Sequence, residues 1–249
     1  MKPERKWYEI EAKTGSLAEV WIYEEIGTDF WGEGLSAKKF VEEIAALEVD
    51  HIALHINSPG GSVFDGQAIF NAIERHPASV TSYVDGVAAS IASVIALAGD
   101  TVEMAQNALF MIHDPYGMAM GTSADMRQMA GVLDKVGETI LPDNTRKSGG
   151  DPEEIAAAMH AETWYTANEA LTAGYADTVG KPVKAAAMSR FDLKGMGYRH
   201  PPESLATLTS DDTAADAAAA PGVTAGQAEQ TRDLVFVPGH GYFTFARKE

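Results

Sequence analysis

The chain has 249 residues, 45% of them apolar and 22% charged, a composition ordinary for a folded globular protein. Its formal charge of −17 argues against nucleic acid and anionic membrane as partners, since both require clustered cations. Cysteine is absent, which excludes disulfides, thiolate catalysis and cysteine-ligated zinc.

The first eleven residues are charged and contain no apolar core of a signal peptide. The longest apolar run, residues 87–98, is too short to span a bilayer. A cytoplasmic protein is expected. Residues 1–17 read as an N-terminal segment, and the compact region is expected over 18–182.

Residues 18–26 alternate Val20 and Ile22 against Trp21 and Tyr23, a strand at period two. Ser36 then stands as an N-cap before a helix with Phe40, Val41, Ile44 and Leu47 on one face. Residues 50–57 read as a second strand, with Ile52, Leu54 and Ile56 facing one way. Ser58-Pro59-Gly60-Gly61 breaks it, and helical periodicity resumes over 63–76 through Ile69, Phe70 and Ile73. A strand over 80–84, a turn at Gly86 and a helix over 88–98 come next, followed by short strands at 100–103 and 108–113.

Residues 122–141 carry Met126, Met129, Ala130, Leu133, Val136 and Ile140 on one helical stripe, ended or kinked by Pro142. Asp151-Pro152-Glu153-Glu154 supplies an N-cap and a first-turn proline for another helix. Thr166-Ala167-Asn168-Glu169 has capping-box spacing, and Gly174 is placed to end that helix. Strands alternating with helices at this pace predict a layered α/β fold with a mostly parallel sheet. Residues 183–230 read as a flexible linker, because 204–229 lack Lys, Arg and aromatic residues. Residues 231–249 read as a short hairpin or docking peptide, which alone would be barely stable. The tail is expected to tether the protein to a partner or to be trimmed by the protein itself.

In a parallel sheet the loops at the carboxyl ends of neighbouring strands meet along one edge. Three such loops carry chemistry. Ser58-Pro59-Gly60-Gly61 offers backbone N–H groups unobstructed by side chains, although a tight turn needing positive φ has the same signature. Ser90 stands at the start of a buried helix, where free N–H groups and the dipole suit a nucleophile. A small-residue core helix would look similar. Met111-Ile112-His113-Asp114-Pro115 puts a histidine at a strand end. Of the seven histidines, His113 is the best candidate base. His51 and His55 share a strand face but have no acidic third ligand in view, so a metal pair is disfavoured.

Ile56-Asn57-Ser58-Pro59-Gly60-Gly61, Gly86-Val87-Ala88-Ala89-Ser90, Met111-Ile112-His113-Asp114-Pro115 and Glu162-Thr163-Trp164-Tyr165-Thr166-Ala167 resemble, in order and spacing, the Clp peptidase (ClpP) family. The look is most similar to the ClpP-related head-maturation proteases of phage and prophage. The similarity covers about residues 20–180. It implies a Clp/crotonase-type fold and a serine endopeptidase with Ser90 as nucleophile and His113 as general base. Gly61 and Ile91 would supply the oxyanion-hole N–H groups, which agrees with the missing Cβ at Gly61 and with the place of Ile91 after Ser90. Gly60, Ser62, Pro115 and Tyr116 would flank the substrate.

Glu162 stands where the housekeeping Clp peptidases carry aspartate, and would orient the imidazole; water or a backbone carbonyl is the alternative orienter. The resemblance further implies a homo-oligomeric ring, residues 122–145 as a protruding handle helix, no cofactor or metal, and capsid or scaffold protein as substrate. Competing readings are a crotonase-type acyl-CoA enzyme, which needs no Ser–His pair, and a non-proteolytic scaffolding subunit. A Ser–Lys peptidase would need a lysine near Ser90, and none lies between Lys39 and Lys135.

Overall fold

The computed structural model describes residues 7–12, 16–27, 36–183, 191–202, 234–237 and 241–244. Two units are distinguished, residues 1–208 and 209–249.

In the first unit, β1 (Tyr8–Ala12) and β2 (Leu17–Ile22) are followed by α1 (Ala37–Ala45), β3 (His51–Ser58), α2 (Val63–Glu74) and β4 (Ser79–Ala89). Then come α3 (Ile91–Ala96), β5 (Thr101–Ala105), β6 (Leu109–Ile112), α4 (Ser123–Ser148), α5 (Pro152–Ala161), β7 (Thr163–Thr166), α6 (Ala167–Thr172) and β8 (Thr178–Gly180). One sheet runs β1-β2-β3-β4-β5-β8, with β6 pairing β4 and β7 pairing β6. Only the β1–β2 and β6–β7 ladders in this sheet are antiparallel. The α/β class and mostly parallel sheet are as expected.

β4 decides where the site lies. Its first half pairs with β5 through Thr81–Val84, and its end pairs with β6 through Val87, Ala88 and Ala89. The change of partner follows a break in the β3–β4 register, where Ile56 faces Val84 but Ser58 faces Ala88. The extra β4 residues bulge there, and the Asn57 side chain accepts the Val87 N–H at 3.2 Å. The turn expected at Gly86 is therefore absent. The chain stays extended to Ala89, and the helix opens at Ile91 rather than at residue 88.

Two further boundaries differ from the sequence reading. Residues 8–12, expected to lie in an N-terminal segment outside the compact region, form an antiparallel edge strand, and Trp7 and Tyr8 are buried against Phe40. α4 continues through Pro142 to Ser148 and ends on Gly149 in the left-handed conformation. Proline there costs one intrahelical hydrogen bond, and the helix is held on both sides of it by the burial of Ile140 and Asn144. In the amino-terminal two thirds of α4, Met126 and Val132 are exposed, Met129 and Leu133 are half-buried, and Val136 packs against the core among the described residues.

The core is the face of β2, β3 and β4 carrying Val20, Ile22, Leu54, Ile56, Val80 and Val84, roofed by α1, α2 and α3. A smaller apolar cluster joins Val87, Ala89 and Met111 to Leu193 and Tyr198. Residues 191–202 thus pack on the folded unit, and the linker expected from 183 does not extend through them. Residues 184–190 and 203–230 of that expected linker lie outside the described residues. In the second unit β9 (Leu234–Val237) and β10 (Gly241–Thr244) pair antiparallel, the hairpin geometry anticipated for the tail.

Candidate active site

Strand register brings the site together. Ser90 N–H donates to the Met111 carbonyl at 3.1 Å, so the end of β4 is tied to the end of β6. β6 and β7 pair Ile112 with Thr163, and the residues that flank this last pair, His113 and Glu162, are close enough for the Glu162 charge to act on the imidazole. The three candidate residues thus sit at one corner of the sheet, although they are far apart in the chain.

Ser90 occupies an unusual backbone conformation, φ 56° and ψ −131°, between the end of β4 and the first turn of α3. Among the described residues, the only non-glycine residues with positive φ are Ser90 and Glu162. Such conformations cost roughly 1–3 kcal/mol and persist where the surroundings over-determine them, commonly at functional sites. The sharp turn at Ser90 lifts its side chain off the helix. It makes no capping bond, and its Oγ lies 2.8 Å from His113 Nε2. This is the serine–imidazole hydrogen bond that nucleophile activation requires.

The loop after β3 supports the same corner. Ile26 bonds to both neighbours of Gly61: its N–H donates to the Gly60 carbonyl at 2.8 Å, and its carbonyl accepts the Ser62 N–H at 2.9 Å. This bridge turns the Gly61 N–H away from Ile26, in an exposed position. A Cβ at Gly60 would lie 2.7 Å from Ser90 Cβ and 2.9 Å from the Ala89 carbonyl, so the loop packs directly on Ser90 and the end of β4. At Gly61 a Cβ would collide with the Ile26 carbonyl. Both glycines also have positive φ, 101° and 146°. Ile91 N–H opens α3 directly after Ser90. Ser62 N-caps α2 through its hydroxyl, which accepts the Asp65 N–H. Beside Ser90 a narrow cleft is lined by Val63, Ile91, Val94, Ile112, Pro115 and Ile140.

Burial depresses the pKa of His113 below 6.5; the charges of Glu162 and Asp114 oppose this, and Arg199 adds to it. Asp114 is directed elsewhere, accepting from or pairing with His160 Nδ1 at 2.9 Å. His51 and His55 engage Ser79 and Asp85, so neither approaches the site.

Glu162 is the member whose geometry departs from expectation. It is buried and its charge acts on His113, yet its carboxylate accepts other donors. These are the backbone N–H of Arg199 at 2.9 Å, that of His200 at 2.7 Å and Trp164 Nε1 at 3.3 Å. Among the described residues it makes no hydrogen bond to His113. Burial alone would raise the Glu162 pKa, but these donors outweigh it and hold the carboxyl below its ordinary value.

Sequence reasoning missed Tyr198, Arg199 and His200. Tyr198 is buried, its ring stacked on His113 at 5.5 Å between centroids, and its hydroxyl donates to the Pro59 carbonyl. Burial pushes its phenol pKa up strongly. Phe191, Leu193, Met196 and Tyr198 were the available signal, since the composition turns linker-like only beyond them. Tyr116, expected beside substrate, is exposed and donates to the Met196 carbonyl at 3.2 Å.

A layered α/β sheet whose longest strand ends in a strained serine bonded to a histidine defines a Clp/crotonase-type fold carrying a nucleophile site. Residues 4–183 match the Clp protease family model, and the chain belongs to that family. It is similar to ATP-dependent Clp protease proteolytic subunit 2 of Mycolicibacterium paratuberculosis, 32% identical over 130 residues, 51% of this chain and 65% of the relative. It is 33% identical over 149 residues to the corresponding subunit 2 of Thermobifida fusca, 57% of this chain and 73% of the relative. With the Leuconostoc citreum proteolytic subunit it shares 34% identity over 155 residues, 59% of this chain and 78% of the relative. The match thus spans just under two thirds of some curated relatives, 65% of the mycobacterial protein and 66% of the Leifsonia xyli one.

Proposed function

We propose that this protein is a serine endopeptidase working through an acyl-enzyme. The observation that carries the reading is the 2.8 Å bond between Ser90 Oγ and His113 Nε2 beside two exposed or terminal backbone N–H groups. Ser90 Oγ attacks the scissile carbonyl carbon while His113 Nε2 takes its proton. The carbonyl electrons move to oxygen, and the N–H groups of Gly61 and Ile91 bind the oxyanion. Collapse of the tetrahedral species expels the amine, which His113 protonates, and water then hydrolyses the ester by the same sequence. Glu162 stabilises the transient imidazolium, by its charge where it stands and by a direct bond once its carboxylate turns. Gly60, Ser62, Pro115 and Tyr116 border the groove in which the peptide lies.

The relatives' names as proteolytic subunits and the Ser–His geometry both support this reading over a crotonase-type or scaffolding role. The exposed Met126 and Val132 and the half-buried Met129 and Leu133 of α4 support assembly into a homo-oligomeric ring through this helix. The substrate is capsid or scaffold protein processed during phage head maturation; the motif resemblance supports that assignment. The first test is a fluorophosphonate probe on the wild type and Ser90→Ala, with mass mapping of the labelled peptide. Label on Ser90 that disappears in the alanine variant and falls sharply in His113→Ala establishes the pair. Label elsewhere, or no label on Ser90 in any folded form of the protein, overturns it. Co-expression with candidate capsid protein then decides the substrate, by whether truncated product requires Ser90.

A further inference from the structure

Resting on the peptidase reading, we propose that residues 191–202 are a strap that holds the active site closed, an inhibitor carried in cis. On this proposal substrate enters only when the strap lifts. The strap is a compact turn. Leu193 N–H donates to the Phe191 carbonyl, Met196 N–H to Asp192, and Tyr198 N–H to Leu193, at 2.9–3.1 Å. Gly195 N–H adds a bond to the Asp192 carboxylate at 2.9 Å. One side of this turn buries Leu193 and Tyr198 against Val87, Ala89 and Met111, the ends of β4 and β6 that position Ser90 and His113.

Three groups of the site are engaged at once. The Tyr198 ring stacks on the imidazole of His113 and meets Trp164 edge-on at 5.7 Å. Its hydroxyl reaches the carbonyl of Pro59, immediately before the Gly60-Gly61 loop, and the Ser90 hydroxyl is close enough to act on it. A peptide lying between that loop and His113 would meet Tyr198. Beyond it, the N–H groups of Arg199 and His200 hold the Glu162 carboxylate, and the Arg199 guanidinium stands 3.6 Å from it. Two of the three donors that occupy Glu162, the N–H groups of Arg199 and His200, are the strap's own; the third is Trp164 Nε1. Removing the strap therefore opens the groove and leaves Trp164 as the remaining donor of the three, so that the acid is freer to turn toward His113. The strap lies beyond residue 183, where the family match ends, so this device belongs to the part of the chain that the family model does not describe.

The competing possibility is a brace that stabilises the corner without blocking it. The two differ in the sign of the effect on Ser90 reactivity, and a destabilised site cannot mimic a gain. The experiment uses the full chain and compares the rate of fluorophosphonate labelling at Ser90 in the wild type, Tyr198→Ala, Tyr198→Phe and Leu193→Ala. Each variant is also made with Ser90→Ala, and melting curves are recorded for all. Latency predicts labelling at least about tenfold faster in Tyr198→Ala and Leu193→Ala, a smaller gain in Tyr198→Phe, and no label in the Ser90→Ala backgrounds. Wild-type label on Ser90 at a rate that folded strap variants do not exceed overturns the strap and leaves the peptidase reading standing. Absence of Ser90 label from the wild type and every folded variant overturns both.

Discussion

A serine hydroxyl is a weak nucleophile at neutral pH until a neutral base takes its proton, so the protonation state of His113 controls the chemistry. Burial holds that imidazole below the ordinary histidine value of 6.5. The base must be neutral to act, so reactivity is lost as pH falls through the lowered pKa. The acid limb of Ser90 labelling by the resting protein is therefore expected to have its midpoint below pH 6.5; a midpoint above that value contradicts the burial argument. Ser90→Ala and His113→Ala should each reduce peptide turnover by about 10⁴-fold or more, the scale for members of such a unit. Glu162 makes a different prediction. Its folded pKa lies below 4.5, so its charge contributes stability above that value, lost as pH falls through the depressed one. Glu162→Gln should cost about 1–3 kcal/mol at pH 7, because the donors from residues 199, 200 and 164 lose a charged acceptor. Its stability should also fall less steeply than wild type on acidification, which denaturant titrations at several pH values would measure.

At the scale of elements, the strand-to-helix turns are where sequence and geometry are most tightly coupled. Gly60 meets both conditions that favour glycine, a φ of 101° and contact with Ser90. Gly60→Ala should lower stability by about 1–3 kcal/mol and shift Ser90 enough to slow labelling, with the melting temperature and the labelling rate falling together. A normal labelling rate in that variant would contradict the packing. Elsewhere the local signals hold because they act within one turn. Thr166 and Glu169 satisfy each other's backbone donors, and Asp151 caps α5. α4 is different: its capping box at Thr122 and Asp125 forms, but among the described residues its stripe is only partly covered, with Met126 exposed and Leu133 half-buried. Met126→Asp and Leu133→Asp should leave the melting temperature within a few degrees while breaking self-association in sedimentation velocity. Unchanged association would exclude this helix as the contact.

The whole molecule combines a sheet that gathers three distant loops with a following segment that covers them. Both depend on contacts between residues remote in sequence. His113 and Glu162 meet through the β6–β7 register, and Tyr198 reaches Pro59 across 139 positions. A protein built this way can be folded and yet hold its nucleophile out of use, and the labelling comparison of strap variants reads that state directly.

Period-two alternation in β2 and β3, the caps of α5 and α6, and the order of the Ser-Pro-Gly-Gly, Ser90 and His113 segments were all legible in the chain, because propensity, capping and strand patterning act over a few residues. The pairing of β1 was hidden by its charged neighbours Glu9 and Glu11, the helical reach of α4 by Pro142, and the true end of β4 by Gly86. Tertiary burial overrode each of these local signals. The sequence by itself determined the class of fold and the serine–histidine chemistry it points to. Only the tertiary structure decided that Glu162 is held by Arg199 and His200 rather than by His113, since hydrogen-bond partners 37 and 38 residues away leave no local pattern to read.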